Sequence, residues 1–214
     1  MENVAHTPKF GSRVICRAAI FAAIFAMATF NCYAQKLKEG SLNFLKGQEK
    51  VHVVLDFDNA MLQGKTQEAY LAIENEEWIE GWNAAKSSVF VEQLLEQLNE
   101  NVSNVQFGNY PDAQYQAAVR VLIFRRQFRS GVVRGGFGQH LDGPGVRLIT
   151  CEVVFTGTGD SKPLAKITGL KGDSTISRWI PEAIGQAGSN AYLGGIAFGD
   201  AGKRLGKFIA RRIK

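Results

Sequence analysis

An α+β fold in a single domain is what three features of this sequence predict: a mostly antiparallel sheet of about four to five strands, a long helix in the N-terminal half and a C-terminal helix packed on one face. Apolar residues at period two recur in several runs after residue 50, a helix-period stripe separates the first run from the others, and a second such stripe closes the chain. With 214 residues, 45% of them hydrophobic, the chain is long enough for one well-buried core and too short for two comfortable ones.

Residues 1–34 stand apart from the domain expected over 35–214. Lys9, Arg13 and Arg17 form a positive start, Ala18 to Thr29 carries no charge, and Cys32-Tyr33-Ala34 puts small residues where a signal peptidase needs them. This order predicts an export signal cut before Gln35. The apolar run is shorter than the roughly 20 residues that cross a bilayer, which disfavours an uncleaved anchor. Phe30-Asn31 before Cys32 fits poorly with lipoprotein processing. The signal would take three of the 25 basic and one of the 20 acidic residues with it, leaving a formal charge of +3. So mild a charge, on an exported chain, argues against a nucleic-acid partner. Only Cys151 would remain of the three cysteines, so no internal disulfide is expected.

Lys50 to Asp58 (KVHVVLDFD) is the first expected strand, with Val51, Val53, Leu55 and Phe57 on one face. Asn59 to Gly64 carries turn residues, and a helical region capped near Thr66 runs to about Asn101, with Trp78, Trp82, Ala85, Val89, Leu94, Leu95 and Leu98 as its stripe. Asn101 to Asp112 is a connection with a brief strand around Val105 and Phe107. Tyr115 to about Val133 is a long strand in which Val119, Val121 and Ile123 alternate with Arg120, Leu122 and Phe124. Gly131 to Gly145 is a glycine-rich hairpin connection, Val146 to Phe155 the next strand, and Leu164 to Leu170 the return after a second turn, giving three consecutive antiparallel strands. Ser189 to Lys214 is the closing helix, with Gly195, Gly199, Gly202 and Gly206 on one stripe. Each interior glycine disfavours a helix by about 1 kcal/mol, so the stripe predicts close backbone contact with another surface.

Taken together, the leader, the strand ending Leu55-Asp56-Phe57-Asp58, the helix with Trp78 and Trp82, the glycine-punctuated hairpins and the glycine-rich last helix resemble small secreted or periplasmic α/β envelope domains of Gram-negative bacteria. The resemblance implies an address and a layout; those families carry no agreed activity.

No catalytic, cofactor-binding or metal-binding residue is predicted. Gly135, Gly136 and Gly138 lie between strands, not between a strand and a helix, and Gly202-Lys203 has Ala197 and Arg204 where a phosphate loop needs glycine and a hydroxyl residue. His52 lies near Asp56 and Asp58, and His140 near Asp142, without further ligands at matched spacing. Cys151 alternates with Ile149, Val153 and Phe155, the setting of a small buried hydrophobe. Glu74, Glu76, Glu77 and Glu80 fall on a solvated helix face. The expected function is therefore that of a non-catalytic exported envelope protein, a binding or structural module for a protein or small ligand. The alternative is a membrane-surface protein that lays Phe198, Leu205, Phe208 and Ile209 on lipid beside Lys203, Arg204, Lys207, Arg211, Arg212 and Lys214. A hydrolase is a third reading, for which no nucleophile with its base is visible.

Overall fold

The period-two runs after residue 50 become strands of one sheet. The computed structural model describes residues 35–127, 146–174 and 190–213; the expected signal over 1–34 and the hairpin connection 131–145 lie outside them. Eight strands run in chain order: β1 (Lys36–Gly40), β2 (Lys50–Asp56), β3 (Met61–Leu62), β4 (Lys65–Thr66), β5 (Gln106–Gly108), β6 (Tyr115–Gln127), β7 (Val146–Gly157) and β8 (Pro163–Asp173). The helices are α1 (Gln67–Leu71), α2 (Glu76–Ser87), α3 (Val89–Asn99) and α4 (Asn190–Ala210).

The sheet order β1-β8-β7-β6-β2-β5, with β3 bridging β6 to β4, corrects the expectation of a mostly antiparallel sheet of four to five strands. Among the described residues the sheet has eight strands and is mixed. β6, β7, β8 and β1 are antiparallel neighbours, as the hairpins require, but β2 runs parallel to both β5 and β6, and β3 runs parallel to β6. The cause is the helical segment between β2 and β5, which carries the chain back to the end where β2 began.

The single long helix expected over about 66–101 is divided. Thr66 Oγ1 accepts from the Ala69 N–H at 3.3 Å and caps α1, and Asn75 Oδ1 accepts from the Trp78 N–H at 2.8 Å and caps α2. At the end of α2 the hydroxyls of Ser87 and Ser88 both donate to the Ala84 carbonyl, at 3.0 and 2.9 Å, and Ser88 leaves helical geometry at φ −128°, ψ −81°. Serine side chains compete for helix carbonyls in this way, and the chain turns before α3.

The helix-covered face of the sheet holds the core, with Val51, Val53, Val119, Val121, Ile149, Cys151, Val153 and Ile167 against Phe90, Leu94, Leu98, Phe198, Leu205 and Ile209. An aromatic cluster lies at one end of this layer: Trp82 meets Phe124 at 5.0 Å and Phe57 at 5.6 Å, and Phe90 stacks on Phe198 at 4.8 Å between ring centroids. The glycine stripe of α4 is what brings that helix onto α3. A Cβ on Gly206 would stand 2.8 Å from the Leu98 carbonyl oxygen, one on Gly195 would stand 2.8 Å from Val89 Cγ1, and one on Gly202 would overlap the Leu94 carbonyl outright. On its sheet side α4 is pinned by Asp200, which accepts from the Asp173 N–H at 3.1 Å and from Arg204 Nε at 2.8 Å. Desolvation by burial raises the Asp200 carboxyl above its ordinary value, against the pull of Arg204.

Phe198, Leu205, Phe208 and Ile209 are all buried in this contact. The apolar face that the lipid-surface alternative required is occupied by the protein's own core, which corrects that reading. Among the described residues, no helix is long and apolar enough to cross a membrane.

Candidate interaction site

Of the residues weighed for chemistry, Gly135, Gly136, Gly138, His140 and Asp142 lie outside the described residues. The others are placed as follows. Nδ1 of His52 accepts from the Tyr110 N–H at 3.1 Å, so this imidazole ties β2 to the chain that follows β5. Asp56 accepts from the Asp58 N–H at 2.9 Å and faces Arg120 at 3.5 Å. Glu76, Glu77 and Glu80 are exposed on α2. Cys151 is fully buried on the core face, and desolvation pushes its thiol up to about 12. Gly202 lies inside α4 against α3, as described above. Among the described residues no group of three His, Cys, Asp or Glu side chains is placed to hold a metal ion.

The face of the sheet opposite the helices carries a ladder of charge across four strands. Arg120 lies between Asp56 and Glu152, at 3.5 and 3.6 Å, and Glu152 takes Lys166 at 2.8 Å. Partly exposed pairs at a protein surface contribute about 0–1 kcal/mol each, and the charges of these pairs are answered within the sheet. They therefore make a poor docking surface.

A different surface arises where β3 joins β6. The register of β6 against β7 shifts between Val121 and Ile123, so Leu122 is an extra residue in the ladder. Such a bulge reverses the facing of everything after it. Phe124, expected to face away from Val119 and Val121, turns into the core at 4% exposure, and Ile123, expected to share their face, turns out at 39%. Met61 pairs with Ile123 in the parallel register, so the two stand side by side, Met61 at 37%.

The turn after β3 is held by Gln63 and Gly64, both at positive φ (52° and 83°), and by the Gln63 N–H donating to the Phe124 carbonyl at 3.0 Å. Met61, Gln63, Gly64, Ile123, Arg125 and Arg126 line an open depression of about 450 Å³. None of these lining residues is acidic. An adjoining cavity among Leu62, Gln63, Tyr70, Trp78, Trp82 and Phe124 measures about 10 Å³, and the buried Trp82 Nε1 there has no hydrogen-bond partner among the described residues. That volume is on the scale of one water and excludes a larger ligand. Burial and then the Glu74 hydrogen bond push the Tyr70 hydroxyl up to about 12, and desolvation followed by the nearby Arg126 charge brings the Arg147 guanidinium down to about 10.

Sequence reasoning missed this depression because Asn59 to Gly64 carries ordinary turn residues and because nothing in the alternation of residues 119–124 marks a bulge. The available signal was Leu122-Ile123-Phe124-Arg125-Arg126, two cations at the end of an apolar run.

Fold and site together define a two-layer α/β protein whose mixed sheet has a helix-covered face and a second face that ends in an apolar and basic depression. No family model matches the chain, and no curated protein matches it. Among solved structures it is similar to the PelC dodecamer from Paraburkholderia phytofirmans in space group P6, at 13% identity and a TM-score of 0.38, covering 81% of this chain and 97% of that one. A single-substitution PelC dodecamer from the same organism in space group C2 gives 13% identity and a TM-score of 0.37, covering 85% and 100%.

Proposed function

We propose that the chain is a non-catalytic interaction module of a bacterial-type cell envelope, exported by residues 1–34 and beginning at Gln35 once cleaved. The observation that carries the interaction reading is the depression at β3 and β6, where a bulge exposes Ile123 beside Met61. An exposed apolar pair rimmed by polar and charged side chains is the ordinary character of a contact surface. The non-catalytic reading is supported by the titratable groups first weighed for chemistry: His52 and Asp56 are engaged in holding strands and turns, and Cys151 is sealed in the core.

Cell fractionation together with site-specific photo-crosslinking tests both halves. A photoreactive residue in place of Met61 should give a defined adduct in the envelope fraction, and the same residue in place of Lys203 on α4 should not. Recovery of the chain in the cytoplasm, or equal adducts from both positions, would overturn the proposal.

A further inference from the structure

Resting on the reading that places cleavage before Gln35, we propose that Gln35 is a modification site: its newly exposed α-amine closes on its own side chain, and the mature chain begins with pyroglutamate. In this step the amine nitrogen attacks Cδ of the Gln35 carboxamide. An N–Cδ bond forms, the Cδ–Nε2 bond breaks, a proton of the amine passes to the departing nitrogen, and ammonia leaves. The product is a neutral lactam ring. Glutamine supplies every atom, so no oxidant, reductant or second substrate is consumed. Because an α-amine is partly protonated at neutral pH, closure also removes positive charge next to the exposed Lys36 and Lys38.

The fold contributes an amide nitrogen that nothing holds. Gln35 is half-buried immediately before β1, and its Nε2 is buried without a hydrogen-bond partner among the described residues. A buried donor with no acceptor is costly, and expelling this nitrogen as ammonia removes the cost. Asn99 is the opposite case. Its carboxamide donates to the Phe107 carbonyl and accepts from the Phe107 N–H, both at 2.8 Å, so displacing it would break two bonds. Moving Nε2 of Gln35 breaks none. Nor does ring closure disturb the sheet, because the pairing of β1 with β8 begins one residue later, with Lys36 opposite Thr168 and Leu37 opposite Ile167.

The test expresses the full chain, isolates its exported form without delay, and holds it for several days at neutral pH, one portion folded and one unfolded in guanidinium. Mass spectrometry of the N-terminal peptide reads the outcome. The expected species is about 17 Da lighter than a chain beginning with unmodified Gln35, and it resists stepwise N-terminal degradation until a pyroglutamate-removing peptidase is added. Any Gln35 still open at isolation should close in the folded portion within about threefold of the rate in the unfolded one, because the native amide is not held. Gln35→Glu should keep its full mass under the same conditions, since a carboxylate is a far poorer target for the amine. Unmodified Gln35 that persists in the folded protein, or closes at least about tenfold faster once unfolded, overturns the inference and leaves the cleavage reading standing. A retained leader or a different first residue defeats the cleavage reading and the inference with it.

Discussion

The carbonyl oxygen of Leu94 on α3 lies where the first side-chain atom of any residue but glycine would stand at position 202 of α4. Gly202→Ala should therefore cost about 1–3 kcal/mol despite the better helix propensity of alanine. Gly199 is the internal control: a Cβ there meets its nearest neighbours at 3.5, 3.6 and 3.7 Å, which is ordinary contact, so Gly199→Ala should stabilise by about 0.5–1 kcal/mol. Urea unfolding of the two variants checks the contrast, and effects of the same sign would refute the backbone contact.

The bulge at Leu122 yields an equally sharp pair. Phe124→Ala should cost about 3–5 kcal/mol because the ring is in the aromatic cluster against Trp82, and Ile123→Thr should stay within about 0.5 kcal/mol of the parent. An unbulged strand would reverse the two. Chemical denaturation of both variants decides.

Burial of Cys151 has a pH signature. Its thiol stays neutral in the folded protein to about 12, whereas the unfolded chain ionises near 9.0, so the stability this group contributes is intact below 9.0 and is lost as pH rises toward 12. Stability measured across that alkaline window should fall less steeply in Cys151→Ala than in the parent, by up to about 1.4 kcal/mol per pH unit. At neutral pH the native protein should resist a thiol reagent that labels the denatured chain at once. Rapid labelling of the folded protein would show the thiol to be accessible.

Cleavage before Gln35 is checked by intact-mass measurement on envelope material. The expected species begins at Gln35; a retained leader or a lipid-modified Cys32 would contradict it.

Much of the core was legible in the sequence because burial leaves a periodic mark. Val51 and Val53, Val119 and Val121, and Ile149, Cys151 and Val153 alternate at period two because one face of their strands meets the helices, and the glycines of α4 repeat at helical spacing because one stripe meets α3. What local patterns do not record is which backbone lies beside which. β1 has almost no apolar signature, since Leu37 is its one half-buried side chain, and it exists through hydrogen bonds to β8 at the sheet edge. The parallel pairing of β2 with β5 and β6 was decided by the helical crossover, and the break at Ser88 by two hydroxyls reaching one carbonyl.

The candidate site belongs wholly to this second kind. By itself the sequence determined that residues 119–124 would form a strand with one buried face; only tertiary packing decided that the strand would skip a beat at Leu122. The Phe124 ring fits among Trp82 and Phe90 only if the facing reverses there, and Ile123 is thereby turned out beside Met61, a neighbour that is 62 residues away in the chain and is set by strand register alone.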